Sequence, residues 1–160
     1  MNAGTLARVA ELVTRFQQIG ATEMRELPLY HRALEVEPVG FERCENALVG
    51  ALITPWFLSL IHLPLRKLAV DWSMLGRPVE RTLPAGRFRF RRGGDEIIGQ
   101  YDAISLHSPV FCFESQELAR REARRRLAPL LFAPAAATPA ADQPRDPQRR
   151  AFLMGRASGR

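Results

Sequence analysis

The sequence predicts an α+β domain: a largely antiparallel sheet packed with an N-terminal and a C-terminal helix. Three observations carry this. Apolar residues fall at helical spacing in Leu6–Ile19 and again in Ala119–Leu130. Between these segments lies Ala47–Leu65, 19 residues without a charge, and then Gly86–Arg92, where phenylalanine and arginine alternate. The regular strand–helix alternation of a doubly wound sheet is missing.

Taken in order, Thr5–Ile19 places Leu6, Val9, Val13 and Phe16 on one helical stripe, with Leu12 and Ile19 beside it, and Gly20 is expected to stop the helix. A shorter helical piece is expected around Thr22–Leu27, ending before Pro28. Leu34–Phe41 sets Leu34 and Val36 against Glu35 and Glu37, the alternation of a half-buried strand.

The charge-free stretch just reaches the length of a membrane-spanning helix. Pro55 in its middle and Pro64 near its end each remove a helix hydrogen bond and clash with the preceding turn. Ser59 and His62 would sit badly in hydrocarbon. The stretch therefore reads as two short strands, Leu48–Ile53 and Phe57–Ile61, joined at Thr54-Pro55-Trp56. Strands apolar on both faces belong in the middle of a sheet covered on both sides.

Leu65–Pro78 reads as irregular. Gly86–Arg92 then sets Phe88 and Phe90 on one face and Arg87, Arg89 and Arg91 on the other. Gly93-Gly94 gives the turn of a hairpin whose second strand is Ile97–Leu106. Val110–Phe113 is expected to be one more short strand. Ser115 caps a helix reaching Leu131, with Glu117 in its first turn, Ala119, Ala123, Leu127 and Leu130 on its apolar stripe, and Pro129 positioned to kink its end. From Ala133 the composition shifts to Ala, Pro, Thr, Asp and Gln with no apolar period. The chain thus divides into a domain, residues 1–132, a linker, 133–148, and a basic tail, 149–160.

The 160 residues suffice for one core without staples, and two cysteines, Cys44 and Cys112, make no disulfide framework. Met1–Leu12 carries Arg8 and Glu11 and lacks the continuous apolar core of a secretory signal, so the expected location is cytoplasmic. The net charge of +6 is uneven: residues 1–45 carry −2, 46–118 carry +1 and 119–160 carry +7. Lys67 is the only lysine beside 22 arginines, a bias that GC-rich coding produces, so no phosphate recognition is read from it.

No credible catalytic constellation emerges. Asp102, Ser105 and His107 contain the groups of a hydrolase triad, yet in a strand Asp102 faces away from the other two, and no nucleophile elbow is present. Glu35 and Glu37 would lie about 6.6 Å apart on one strand face, which any solvated strand also produces. His31, His62, His107, Cys44 and Cys112 lack the close spacing of zinc ligands, so neither metal nor cofactor is expected. Arg92-Gly93-Gly94-Asp95 is too short to cradle a phosphate. Arg120, Arg121, Arg124, Arg125 and Arg126 form a basic helix face that would serve the alternative reading, a nucleic-acid-binding module, but no aromatic residue interleaves to stack bases.

One ordered set of short motifs remains: Val39-Gly40-Phe41, Thr54-Pro55-Trp56-Phe57, Leu63-Pro64, Leu83-Pro84-Ala85-Gly86-Arg87-Phe88-Arg89-Phe90 and Ser105-Leu106-His107-Ser108-Pro109. From about Gly40 to Leu131 this set resembles the HybE/HupJ family of [NiFe]-hydrogenase assembly chaperones. Val110-Phe111-Cys112-Phe113 departs from the pattern, in which a methionine and an acidic residue are more typical. The resemblance implies a two-layer α+β sandwich similar to secretion chaperones. It also implies a non-catalytic cytoplasmic protein that binds hydrogenase small or large subunit precursors, and other maturation proteins, during cofactor insertion or before export. Rigid apolar anchors suit such a task, which points to Pro55, Trp56, Phe57, Phe88, Phe90, Ser108 and Pro109 as partner-binding residues.

The tail adds Arg149, Arg150, Phe152 and Leu153 to this set. Arg149-Arg150-Ala151-Phe152-Leu153-Met154 looks like a twin-arginine export motif, but only six residues follow Met154, too few for the apolar segment a signal needs. The tail therefore reads either as an ordinary arginine-rich terminus or as an imitation of a leader.

Overall fold

The computed structural model describes residues 2–132, so the linker 133–148 and the tail 149–160 lie outside the described residues. Eight main elements follow in chain order: α1 (Ala3–Ile19), β1 (Glu37–Cys44), β2 (Ala47–Ile53), β3 (Leu58–Pro64), β4 (Pro78–Leu83), β5 (Gly86–Asp95), β6 (Gly99–His107) and α2 (Gln116–Leu131). The strands form one antiparallel sheet in the order β1-β2-β3-β6-β5-β4. After β3 the connection through residues 65–77 carries the chain to the far edge, and β5 and β6 bring it back beside β3. The α+β class, the antiparallel sheet and the terminal helices agree with the sequence.

Alternation along β2 and β3 decides the layering. Val49, Ala51, Ile53, Leu58 and Leu60 face a core built with Ala119, Ala123, Leu127 and Leu130 of α2. Leu48, Leu52, Ile61 and Leu63 face the other way, onto Val9, Leu12 and Phe16 of α1. One helix therefore lies on each face, so around β2 and β3 there are three layers where two were expected. The charge-free stretch is the reason: all seven residues of β2 are buried, a pattern only a doubly covered central strand produces.

In β1, Val39 pairs with Ala51 and Glu42 with Val49, so Gly40 and Phe41 together oppose a single residue. Gly40 has φ +65°, and a Cβ there would lie 2.8 Å from Leu127 of α2. This is a β-bulge, and it flips the alternation. Val39 joins the α2-side core and Phe41 the α1-side core, although two residues apart in a regular strand share a face.

Several expected boundaries are corrected, each for a visible reason. Gly20 does not stop the first helix, which continues as a π turn over Gly20–Met24. A Cβ there would stand 3.2 Å from the Trp56 ring, so glycine lets the turn pack closely against it. The strand expected from Leu34 begins at Glu37: the Glu35 N–H donates to Gln116 Oε1 and its carbonyl accepts from Gln116 Nε2, so α2 takes the place of a neighbouring strand. Gly93-Gly94 is not a turn but part of β5, lying beneath Tyr101 and Val70. The turn comes at residues 96–98, closed by Asp95 Oδ2 accepting the N–H groups of Ile97 and Ile98. Val110–Phe113 forms a turn rather than a strand. Pro78–Leu83, expected to be irregular at its start, is the edge strand β4.

Candidate functional site

Motif residues scattered along the sequence gather at one end of the sheet, where β2 ends, β3 begins and β6 ends. Thr54 shapes the first piece. Its Oγ1 accepts the N–H groups of Trp56, at 3.2 Å, and Phe57, at 2.9 Å, while the Thr54 N–H donates to the Phe57 carbonyl at 2.8 Å. A hydroxyl that turns the chain this tightly makes the β2–β3 corner rigid.

His31 ties this corner to the β6–α2 connection. Its backbone N–H donates to the Pro55 carbonyl at 2.7 Å, and its ring Nε2–H donates to the Phe113 carbonyl at 2.6 Å. The Phe111 ring leans on the same imidazole, centroids 5.3 Å apart. The expectation for His31 concerned metal ligation; its role here is a clasp. No signal in the sequence links position 31 to both loops, since that link exists only once the sheet has formed.

The candidate anchors divide by exposure. Pro55 is buried, and Trp56 is only 9% exposed, stacked on Tyr30 and set against Phe16 and Phe57. Phe90 is 0% exposed, edge-on to His62. Pro55 and Trp56 build the frame of the corner, whereas Phe90 belongs to the α2-side core. Phe57 and Phe88 are half-buried, while Ser108 and Pro109, joined by a cis peptide bond, are exposed. Phe111, at 50% exposure, extends the same surface. Arg149, Arg150, Phe152 and Leu153 lie outside the described residues.

Electrostatics explain why the hydrolase and nucleic-acid readings lose ground. Asp102 is 1% exposed and accepts from Arg81 Nε at 2.9 Å and from Arg92 Nε at 2.7 Å, so its lone pairs serve two guanidinium groups. The Nδ1 atom of His62 lies 3.8 Å from the same carboxylate without a hydrogen bond, and burial, helped by Arg81 and opposed by Asp102, pushes its imidazole down. His107 is turned to α2 instead, its Nε2 2.9 Å from Glu122 Oε2. Among the five arginines of the α2 face, Arg120 is held by Glu37 and Glu117, and Arg125 and Arg126 by Glu122. Burial resists ionisation of Glu122, yet the hydrogen bonds from His107 and Arg125 outweigh it and keep its carboxyl below the usual range. A basic face so engaged with carboxylates is a poor phosphate ladder. Glu37 is likewise held low, first by its bond from Arg120. Among the described residues no three His, Cys, Asp or Glu side chains are grouped to hold a metal, and no helix is long and apolar enough to cross a membrane.

The arrangement is a sheet clasped by a helix on each face with a rigid apolar corner at one end. It matches the solution structure of HybE from Escherichia coli with a TM-score of 0.55 and 27% identity, over 95% of this chain and 91% of that one. The protein HoxT of Cupriavidus necator is 40% identical over 93% of this chain and 89% of its own length. The hydrogenase expression/formation protein HupJ of Bradyrhizobium diazoefficiens is 36% identical over 75% and 69%. A third relative, the probable rubredoxin HupJ of Rhodobacter capsulatus, is 38% identical, but the chain spans only 42% of its length. Residues 7–155 match the family model described as "[NiFe]-hydrogenase assembly, chaperone, HybE". The chain belongs to that family of hydrogenase assembly chaperones.

Proposed function

We propose that this chain is a non-catalytic cytoplasmic accessory chaperone that binds [NiFe]-hydrogenase subunit precursors during maturation and before export. One observation supports this above the others: family membership coincides with the gathering of the Thr-Pro-Trp-Phe and Ser-Leu-His-Ser-Pro motifs at one end of the sheet. The docking face is formed by Phe57, Ser108, Pro109 and Phe111, with Phe88 at its margin, and Pro55 and Trp56 hold it in place from beneath. The nucleic-acid alternative is not favoured, because three of the five α2 arginines already pair with carboxylates.

Deleting the gene from cells that carry the hydrogenase operon is expected to reduce hydrogenase activity, and co-purification is expected to recover a hydrogenase subunit. Normal activity after deletion, both in air and without it, would contradict the proposal. The tail belongs to the same reading. Residues 149–160 imitate a leader, and 16 residues, if fully extended as polyproline, would span about 50 Å, enough to reach across the domain. Removing residues 149–160 is then expected to tighten binding of a leader peptide, and unchanged affinity would leave the tail without this role.

A further inference from the structure

The turn after β6 holds a group that neither the family assignment nor the docking face uses. Cys112 is exposed, and its Sγ lies 4.0 Å from His107 Nδ1. On the far side of the ring, His107 Nε2 meets Glu122 Oε2 at 2.9 Å. A carboxylate there accepts only, so the neutral ring carries its proton on Nε2 and presents Nδ1 to the thiol as an acceptor. Phe113 packs edge-on to the imidazole, centroids 4.9 Å apart, and fixes its plane. Nucleophile, base and orienting acid are thus in line: a thiol from the turn, an imidazole from the end of β6 and a carboxylate from α2.

We propose that Cys112 is a thiol–disulfide exchange site for low-molecular-weight disulfides, with His107 as its base and Glu122 as the residue that positions His107. The Cys112 thiol gives its proton to His107 Nδ1 and attacks one sulfur of the disulfide RSSR. That S–S bond breaks as the Cys112–S–S–R bond forms, and the other half leaves as RS⁻, which takes the proton back from His107. Cys112 is oxidised to the mixed disulfide and one equivalent of RSSR is reduced to RSH plus the bound half. The adduct would stand beside Ser108, Pro109 and Phe111. Cys44 is the internal contrast. It is half-buried at the opposite end of the sheet, and burial, with Glu42 and Glu45 beside it, pushes its thiol up.

The test uses the full chain carrying Cys44→Ser and the aromatic disulfide DTNB at neutral pH, with mass spectrometry locating the adduct and circular dichroism confirming the fold. Cys112 is expected to react at least about tenfold faster than in the same protein carrying His107→Gln. Glu122→Gln, whose amide oxygen still accepts from Nε2–H, is expected to keep most of the rate, and Glu122→Leu to lose it. Rate constants within twofold for parent and His107→Gln would overturn the proposal, as would a parent no faster than a free Phe-Cys-Phe peptide. A Glu122→Gln protein as slow as Glu122→Leu would overturn the positioning role.

Discussion

Asp102 shows what a single residue does for this molecule. Its carboxylate is inside the protein only because Arg81 and Arg92 approach it from β4 and β5. Removing its charge leaves two guanidinium groups facing a neutral amide in a partly dry site. Asp102→Asn is expected to destabilise the protein by about 3 kcal/mol in chemical denaturation, with the fold retained. His62, beside it, ties stability to pH. Its pKa is depressed in the folded state, first by burial, so the unfolded chain binds the proton more readily. The stability this group contributes is complete above the ordinary imidazole value, about 6.5, and falls as pH drops below it. The denaturation midpoint is expected to fall between about pH 7.5 and pH 5.5, and His62→Gln to flatten that decline. Glu37 and Asp95 act at lower pH: their carboxyls are held down, so their contribution is lost only as pH falls through and below the ordinary carboxylate range.

At the scale of elements, the bulge in β1 is the most exacting feature. Gly40 combines a left-handed backbone with a close approach from Leu127. Gly40→Ala is expected to cost about 2 kcal/mol more than Gly76→Ala by thermal or denaturant unfolding, since both share a positive φ but only Gly40 has a neighbour in the way. The same element shows where sequence reading succeeds and where it ends. Ala47–Leu65 was legible as two central strands because proline position and two-sided apolarity are local properties. The α2 stripe was legible because helical spacing and a serine cap are also local. Gly20, Gly93 and Gly94 read as a stop and a turn in the sequence alone. Each lies against a side chain from elsewhere in the chain, Trp56, Tyr101 or Val70, and at Gly93 and Gly94 a Cβ would come within 2.8 and 2.5 Å of it. Strand β4 is hidden in the sequence because an edge strand that starts on proline and has Glu80 and Thr82 on its outer face looks like a loop until its pairing with β5 is seen. The pairing of His107 with Glu122 and Cys112 was hidden for the same reason: one partner lies 15 residues away, on a different element.

For the whole molecule, the proposed docking face rests on the sheet end where His31 clasps two loops. Truncating it removes the ring's hydrogen bond to the Phe113 carbonyl and its contact with Phe111 while the backbone bond to Pro55 stays, so His31→Ala is expected to lower stability by about 1–2 kcal/mol and to weaken partner binding through a loosened β6–α2 connection. The most direct measurement is a binding assay of the purified full chain against each hydrogenase subunit precursor separately, with and without its leader peptide. It should be run in parallel with Ser108→Arg, a change at an exposed position that leaves the core untouched. The expected result is that at least one precursor is retained by the parent protein and that Ser108→Arg weakens it at least about tenfold at unchanged thermal stability. Retention of neither precursor would contradict the proposed chaperone role, and binding indifferent to Ser108→Arg would contradict the placement of the docking face.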